Sequence, residues 1–351
     1  MDIFNIYLPV AGIEFNIILL ILIGFCVGVL GGFFGVGGGW IVTPALNIFG
    51  FHMSYAIGTD LSNIFGQSIG ATMKHHKMGN IDWKLGFISI VASVVGLELG
   101  SQVVLILEKE GDIGSIVRWC YLVLMFGLSW LMFYDYFKLN PKRRKKKIKD
   151  KENFEEPETI STKSRLAERL HKINLPPMIS FPASGIKSVS LWIVLFVFLF
   201  TGFLSGFLGV GGGFIRMPAL VYLIGVPTVI AVGTDLMSVL FSGAYGCFTF
   251  AVKGRVELIA AFFMLIGASI GAQIGATAVK YIKGYGIRLL FAIMIVCAGC
   301  SIALEQAYKI TGTPILSTIA GIVLMGTAVS MTLIIITSLV LEFRKEKKLR
   351  L

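Results

Sequence analysis

Residues 32–46 read GFFGVGGGWIVTPAL, and residues 206–220 read GFLGVGGGFIRMPAL. Eleven of the fifteen positions are identical, at an offset of 174 residues. After a one-residue shift the match resumes. Gly58-Thr59-Asp60-Leu61 pairs with Gly233-Thr234-Asp235-Leu236, and Gly79 and Asp82 pair with Gly254 and Glu257. Gly96-x-x-x-Gly100 then pairs with Gly271-x-x-x-Gly275. The same motifs in the same order make the chain two copies of one unit, about 15–137 and 189–304.

What surrounds the glycines sets the fold class. Of 351 residues, 56% are hydrophobic and 15% charged, against roughly 25% charged in a soluble domain. A water-soluble enzyme of this size needs a charged skin that this chain cannot supply. Glycine contributes 41 residues, well above the usual ~7%, as in transmembrane helices that pack closely or break. Apolar stretches of about 20 residues cross a bilayer, and seven qualify: 54–73, 84–107, 115–137, 228–252, 258–279, 286–304 and 314–343. Two further stretches, 17–36 and 189–210, end in Gly37-Gly38-Gly39 and Gly211-Gly212-Gly213 and continue as short apolar pieces, 41–49 and 215–226. Ten helical residues span about 15 Å, half of a ~30 Å hydrocarbon core. Each copy therefore reads as a glycine-broken helical hairpin followed by transmembrane helices.

The net charge of +11 is confined to two places. Residues 138–187 hold 14 basic and six acidic residues, and 342–351 hold five and two. These stretches carry the whole surplus. They border apolar segments, so they mark cytoplasmic loops by the positive-inside rule rather than a nucleic-acid surface. With the N-terminus outside, Lys74, Lys77, Lys84, the linker and the tail all fall inside, and Glu108, Glu110 and Asp112 fall outside. Lys253 and Arg255 are the single violation. The expected organisation is a first transmembrane repeat (1–137), a basic cytoplasmic linker (138–188), a second repeat (189–304), and an extra C-terminal transmembrane helix with a basic tail (305–351). The first unit starts outside and the second inside, so the repeats are inverted. That is an all-α polytopic layout found in many secondary transporters.

The glycine turns are the first candidates for a site. Three glycines permit unusual backbone angles and bare their N–H groups. Irregular backbone at membrane depth survives only where protein buries it or water lines it. Exposed N–H groups and a following helix start favour an anion, so Gly37, Gly38, Gly39, Gly211, Gly212 and Gly213 are read as substrate-binding. Walker A and G-x-G-x-x-G phosphate loops are excluded, because neither copy has the Lys-Ser/Thr of the first or the closing Gly of the second. Gly96/Gly100 and Gly271/Gly275 are read as helix-packing contacts.

Ionisable residues at membrane depth are costly and attract functional readings. Arg216, whose counterpart is Val42, fits two roles: binding one face of an oxyanion, or pairing with Asp235. Asp60 and Asp235 either carry a coupling proton or cap broken backbone. Glu98 is a third proton-coupling candidate, or a hydrogen-bonding group. Asn63 and Gln67, matched by Ser238 and Ser242, share one helix face. With Thr59 and Thr234 they offer neutral hydrogen bonds to an anion, or glue between helices. His75 and His76 are placed at the basic interface rather than as metal ligands. No metal site, cofactor motif or disulfide framework is legible, and Cys297 and Cys300 lie inside an apolar helix.

The doubled G-F-x-G-V-G-G-G-x-I-x-x-P-A-L, the doubled G-T-D-L and the G-x-x-x-G helices resemble the TauE/SafE sulfite exporter family (TSUP permeases), over most of 7–304. The resemblance implies a secondary transporter of sulfite or related organosulfur anions in a prokaryotic cytoplasmic membrane, with export driven by the proton gradient. Its binding residues correspond here to Gly37–Gly39, Gly211–Gly213 and polar positions of the following helices. The implied partners are a small anionic substrate and the lipid bilayer. Alternatives are an uptake permease or passive channel for another small anion and, from another class, a membrane scaffold or enzyme. No nucleophile, acid and base group together in the sequence to favour the enzyme.

Overall fold

The computed structural model describes residues 4–111, 113–134, 136–137, 167, 170–171, 175–209, 212–282 and 284–349. The linker's basic run 142–147, the position of Gly211, and most of 138–174 lie outside them.

The first half opens with strands β1 (Asn5–Leu8) and β2 (Ile13–Asn16), followed by helices α1 (Ile17–Phe34), α2 (Gly39–Ile48), α3 (Met53–Lys77), α4 (Trp83–Glu110) and α5 (Ile113–Tyr134). The second half repeats the order: β3 (Met178–Phe181), β4 (Ile186–Ser190), α6 (Leu191–Leu208), α7 (Gly213–Ala219), α8 (Thr228–Val252), α9 (Leu258–Ala278) and α10 (Gly284–Thr311). One more helix, α11 (Pro314–Leu349), closes the chain. Eight of the described helices are long and apolar enough to cross a membrane. Large apolar side chains stand exposed along their outer faces, Trp130 at 76% and Val123 at 71%, which suits lipid rather than water. The protein is a multi-pass membrane protein.

α3 is the expected span missing from those eight. At 25 residues it is about 37 Å long, so its length suffices. Its hydropathy is lowered by Thr59, Asp60, Asn63, Gln67, Ser68, Thr72 and His75, all buried. The polar face points inward, and Phe65, Ile69 and Met73 stand exposed on the opposite, apolar face. α1 and α6 each qualify as full spans, while α2 has only ten residues. α10 runs past the expected end at 304 to Thr311.

The start and stop of α1 show how local chemistry sets these elements. Asn16 Oδ1 accepts from the N–H groups of Ile18 (2.9 Å) and Leu19 (3.2 Å), satisfying donors that a helix start leaves unpaired. The helix ends at Gly35 in the left-handed conformation, φ +80, as α6 ends at Gly209, φ +74. Pro44 and Pro218 lie inside α2 and α7.

The halves interlock rather than sit side by side. α1 packs along α9 of the other half, α6 packs along α4, and α3 lies against α8. The small-residue pairs make this possible, as expected. A Cβ on Gly100 would stand 2.1 Å from the Phe203 carbonyl oxygen, and one on Gly275 2.0 Å from that of Val29. Backbones that close leave no room for any side chain.

The two hairpins were not legible from composition. β1–β2 and β3–β4 are antiparallel, and each sits just before the first helix of its half. Both turns carry Pro-x-x-Gly-Ile: Pro9 to Ile13, and Pro182 to Ile186. The repeat thus begins earlier than the apolar pattern suggests, and in the second half it reaches into the expected linker.

Candidate functional site

Two latches hold the halves together, and they are equivalent. Glu257 caps α9, and its backbone N–H donates to Thr59 Oγ1 at 2.9 Å. The Glu257 carboxylate accepts from the N–H groups of Val10 (2.7 Å) and Ala11 (3.1 Å) in the first hairpin turn. In the mirror arrangement Asp82 caps α4, its N–H donates to Thr234 Oγ1 at 2.9 Å, and its carboxylate accepts from Ser184 Oγ at 2.6 Å in the second hairpin turn. The Thr59 and Thr234 hydroxyls are therefore engaged in joining the halves. This role was hidden in the sequence, because nothing local links a Gly-Thr-Asp-Leu to the N–H of an acidic residue 198 or 152 positions away.

On the Glu257 end, Arg255 meets Glu108 at 3.1 Å and donates to the Tyr55 hydroxyl at 3.0 Å. Arg255 and Lys253 were the one exception in the charge pattern. The ion pair puts Arg255 beside an acidic loop that falls on the same side, which offsets part of its charge.

The glycine turns lie inside this frame. Gly37 and Gly38 have φ of +73 and +83, and Gly212 has φ +80. Gly39 and Gly213 begin α2 and α7. The turns meet: a Cβ on Gly213 would stand 2.6 Å from both Cα and O of Val36. Gln67 donates its amide to the Gly37 carbonyl. Asp60 Oδ2 accepts from the Thr43 hydroxyl (2.7 Å) and N–H (3.1 Å), so it fastens α2 to α3.

The second half differs. The position equivalent to Thr43 is Met217, and the neighbouring Arg216 faces Asp235 instead, Nη1 to Oδ1 3.4 Å, with both side chains fully buried. None of the three guanidinium nitrogens has a hydrogen-bond partner among the described residues, and neither has either Asp235 oxygen. The guanidinium also lies over Gly212, where a Cβ would come within 2.5 Å of Nη2. Of the two roles open for Arg216 the ion pair is present, and it leaves N–H donors unused. Both amide atoms of Asn63 and Oε1 of Gln67 are buried and unpartnered too.

The remaining candidates divide. The Ser238 hydroxyl donates to the Thr234 carbonyl at 3.1 Å and touches that of Ser89. Ser242 Oγ lies 3.4 Å from the Val239 carbonyl. Glu98 stands apart, half-buried, accepting from the Tyr245 hydroxyl at 2.9 Å. His76 is exposed, while His75, in the last turn of α3 beside Lys74, is fully buried within the protein, with Nε2 3.2 Å from the Gly32 carbonyl. Glycine at position 32 serves a different contact, the approach of α9, where a Cβ would stand 2.2 Å from the Ala272 carbonyl oxygen.

Residues 20–302 match the sequence profile described as sulfite exporter TauE/SafE. The chain belongs to the TauE/SafE family. It is 24% identical over 302 residues to the "probable membrane transporter protein YunE" of Bacillus subtilis (strain 168), covering 84% of this chain and all of that one. A "probable membrane transporter protein" of Methanocaldococcus jannaschii is 30% identical over 209 residues, 58% of this chain and 60% of that one. One from Haemophilus influenzae is 32% identical over 117 residues, 31% and 44% respectively. No solved structure matches the chain. This TauE/SafE protein is a membrane transporter, not an enzyme. Its glycine motifs, both Gly-Thr-Asp-Leu segments and the interlocked helices, apart from the first three residues of α1, lie within the matched residues. All of α11 and the end of α10 lie beyond them.

Proposed function

We propose that the protein is a secondary transporter of a small oxyanion, sulfite or a related sulfonate or thiosulfate, bound where the two glycine turns meet. One observation carries this reading. Arg216 is a fully buried guanidinium at membrane depth whose N–H donors have no partner among the described residues, beside a left-handed glycine turn. A buried charge without full hydrogen bonding is expensive, and a tetrahedral or pyramidal oxyanion is a strong acceptor for its planar fork. The Gly37–Gly38 turn and the Asn63 and Gln67 amides supply further polar groups from the other half.

In this reading the halves are inverted across the bilayer of a prokaryotic cell, with the N-terminus outside and the linker and tail cytoplasmic. They rock about the glycine turns, and the proton gradient drives export. Asp235 competes with the anion for Arg216, so proton uptake by its carboxylate releases the guanidinium to the substrate. Asp60, clasped by Thr43, holds the first turn in place.

The test is flux and binding with reconstituted protein against sulfite, sulfonates, thiosulfate and carboxylates, with and without an imposed proton gradient. Saturable uphill movement of the sulfur oxyanions is expected, lost on Arg216→Met. If only carboxylates move, the organosulfur assignment fails. If an imposed gradient drives no uphill flux, a passive channel replaces the transporter mechanism.

A further inference from the structure

Below the anion site, α3 carries a second polar face that no transport role yet uses. Ser68, Thr72 and His75 recur at helical spacing, i, i+4 and i+7. All three are buried. Ser68 Oγ, Thr72 Oγ1 and His75 Nδ1 have no hydrogen-bond partner among the described residues. Buried polar side chains are satisfied with few exceptions, because an unpaired one forfeits its bonds to water. Three in one row are a feature to be explained.

The packing tells where the row leads. α3 and α8 run antiparallel: a Cβ on Gly246 would touch Leu61, and one on Gly243 would touch Ile64 and Phe65. Continuing that register sets residues 68–75 of α3 alongside 232–239 of α8, the stretch that holds Asp235. Ser68 then stands opposite Val239, whose side chain a Cβ on Gly37 would meet at 2.8 Å, so the row begins at the level of the first glycine turn and passes Asp235 opposite Thr72. It ends at His75, one turn from the end of α3, where Lys74 and Lys77 stand.

The other half lacks this row. The positions equivalent to Ser68, Thr72 and His75 are Gly243, Cys247 and Phe250. Phe250 is fully buried and packs close to Gly58. Two halves that share their glycine turns thus differ on the way out: one is lined with hydroxyls and an imidazole, the other is plugged by a phenyl ring.

We infer that Ser68, Thr72 and His75 line a hydrated conduit joining the anion site at the glycine turns to the face where α3 ends, with His75 as its gate. Water satisfies the orphaned groups, each molecule needing two to four polar partners, and the anion leaves along the same wall. The conduit rests on the anion site proposed above, which it connects to one side of the membrane only.

Single cysteines at Ser68→Cys and Thr72→Cys, in a background with the five native cysteines removed, test it in anion-free vesicles. A charged, membrane-impermeant maleimide should label both from the Lys74 face, at least tenfold faster than Cys247 restored alone. No labelling at 68 and 72, or equally fast labelling of Cys247, overturns the conduit. As a second arm, His75→Phe copies the plugged half. It should lower sulfite flux at least tenfold while sulfite Kd stays within twofold; unchanged flux overturns the gate. Labelling needs no ligand, so cysteines that label in a protein that binds no sulfite uphold the conduit and count against the anion assignment instead.

Discussion

Gly212→Ala isolates what the second glycine turn does. Two costs are built into the position. The first is backbone: φ is +80, and an L-residue there costs about 1–2 kcal/mol. The second is steric. The added Cβ would stand 2.5 Å from Arg216 Nη2, where ordinary contact begins at 3.4 Å. The guanidinium must retreat by roughly 0.9 Å, the difference between those two distances. It is fully buried and faces Asp235 at 3.4 Å, so retreat repositions the charge that the anion would meet. Lost alignment of one charge-assisted hydrogen bond is worth about 1.5–3 kcal/mol, a tenfold to hundredfold loss of affinity. The control is Gly185→Ala in the second hairpin. Its φ is +67 and its Cβ would meet nothing within 4 Å, so it carries the backbone cost without the clash. Sulfite Kd by calorimetry, and melting temperature in detergent, separate the two. Both variants should melt lower, and only Gly212→Ala should bind weakly. Equal Kd for Gly212→Ala and wild type would refute the placement of the anion at Arg216.

Two further outcomes follow from the same geometry. Thr59→Val and Thr234→Val each orphan a buried N–H, of Glu257 and Asp82 respectively. Each should lose about 1–3 kcal/mol, and the double variant should lose close to the sum, because the sites are independent; thermal unfolding of the purified protein reads this. Asp235→Asn leaves Arg216 buried without its counter-charge and should cost about 3–5 kcal/mol. Adding Arg216→Met should restore stability without restoring sulfite binding, measured by unfolding and calorimetry side by side.

How much of this was legible depends on range along the chain. The glycine motifs, the broken helices and the packing role of Gly96/Gly100 and Gly271/Gly275 are written in short patterns, and short patterns survive reading by eye. The latches were not legible. Asp82 and Glu257 appeared only as matched letters, and the hairpin turns that bind them sat in segments read as flank and linker. The burial of His75 was not legible for a related reason. A histidine next to lysines reads as interfacial, and only the packing of α1 against α3 shows that its ring is covered by protein.

By itself the sequence determined the class: an apolar, charge-poor chain in two copies has no stable home but a bilayer, and doubled Gly-Gly-Gly breaks cannot continue as regular helix. It also determined the pairing of Arg216 with Val42 and of Asp235 with Asp60, hence that the halves differ. Tertiary structure decided how the copies join. Each half's first helix lies on the other half's fourth, because glycine stripes let those backbones touch. It decided that Thr59 and Thr234 work as latches and that Glu98 stands aside. It also brought Arg216 against Asp235 with donors to spare. A side chain's partners across the fold depend on register and crossing between distant helices, and no local pattern encodes those.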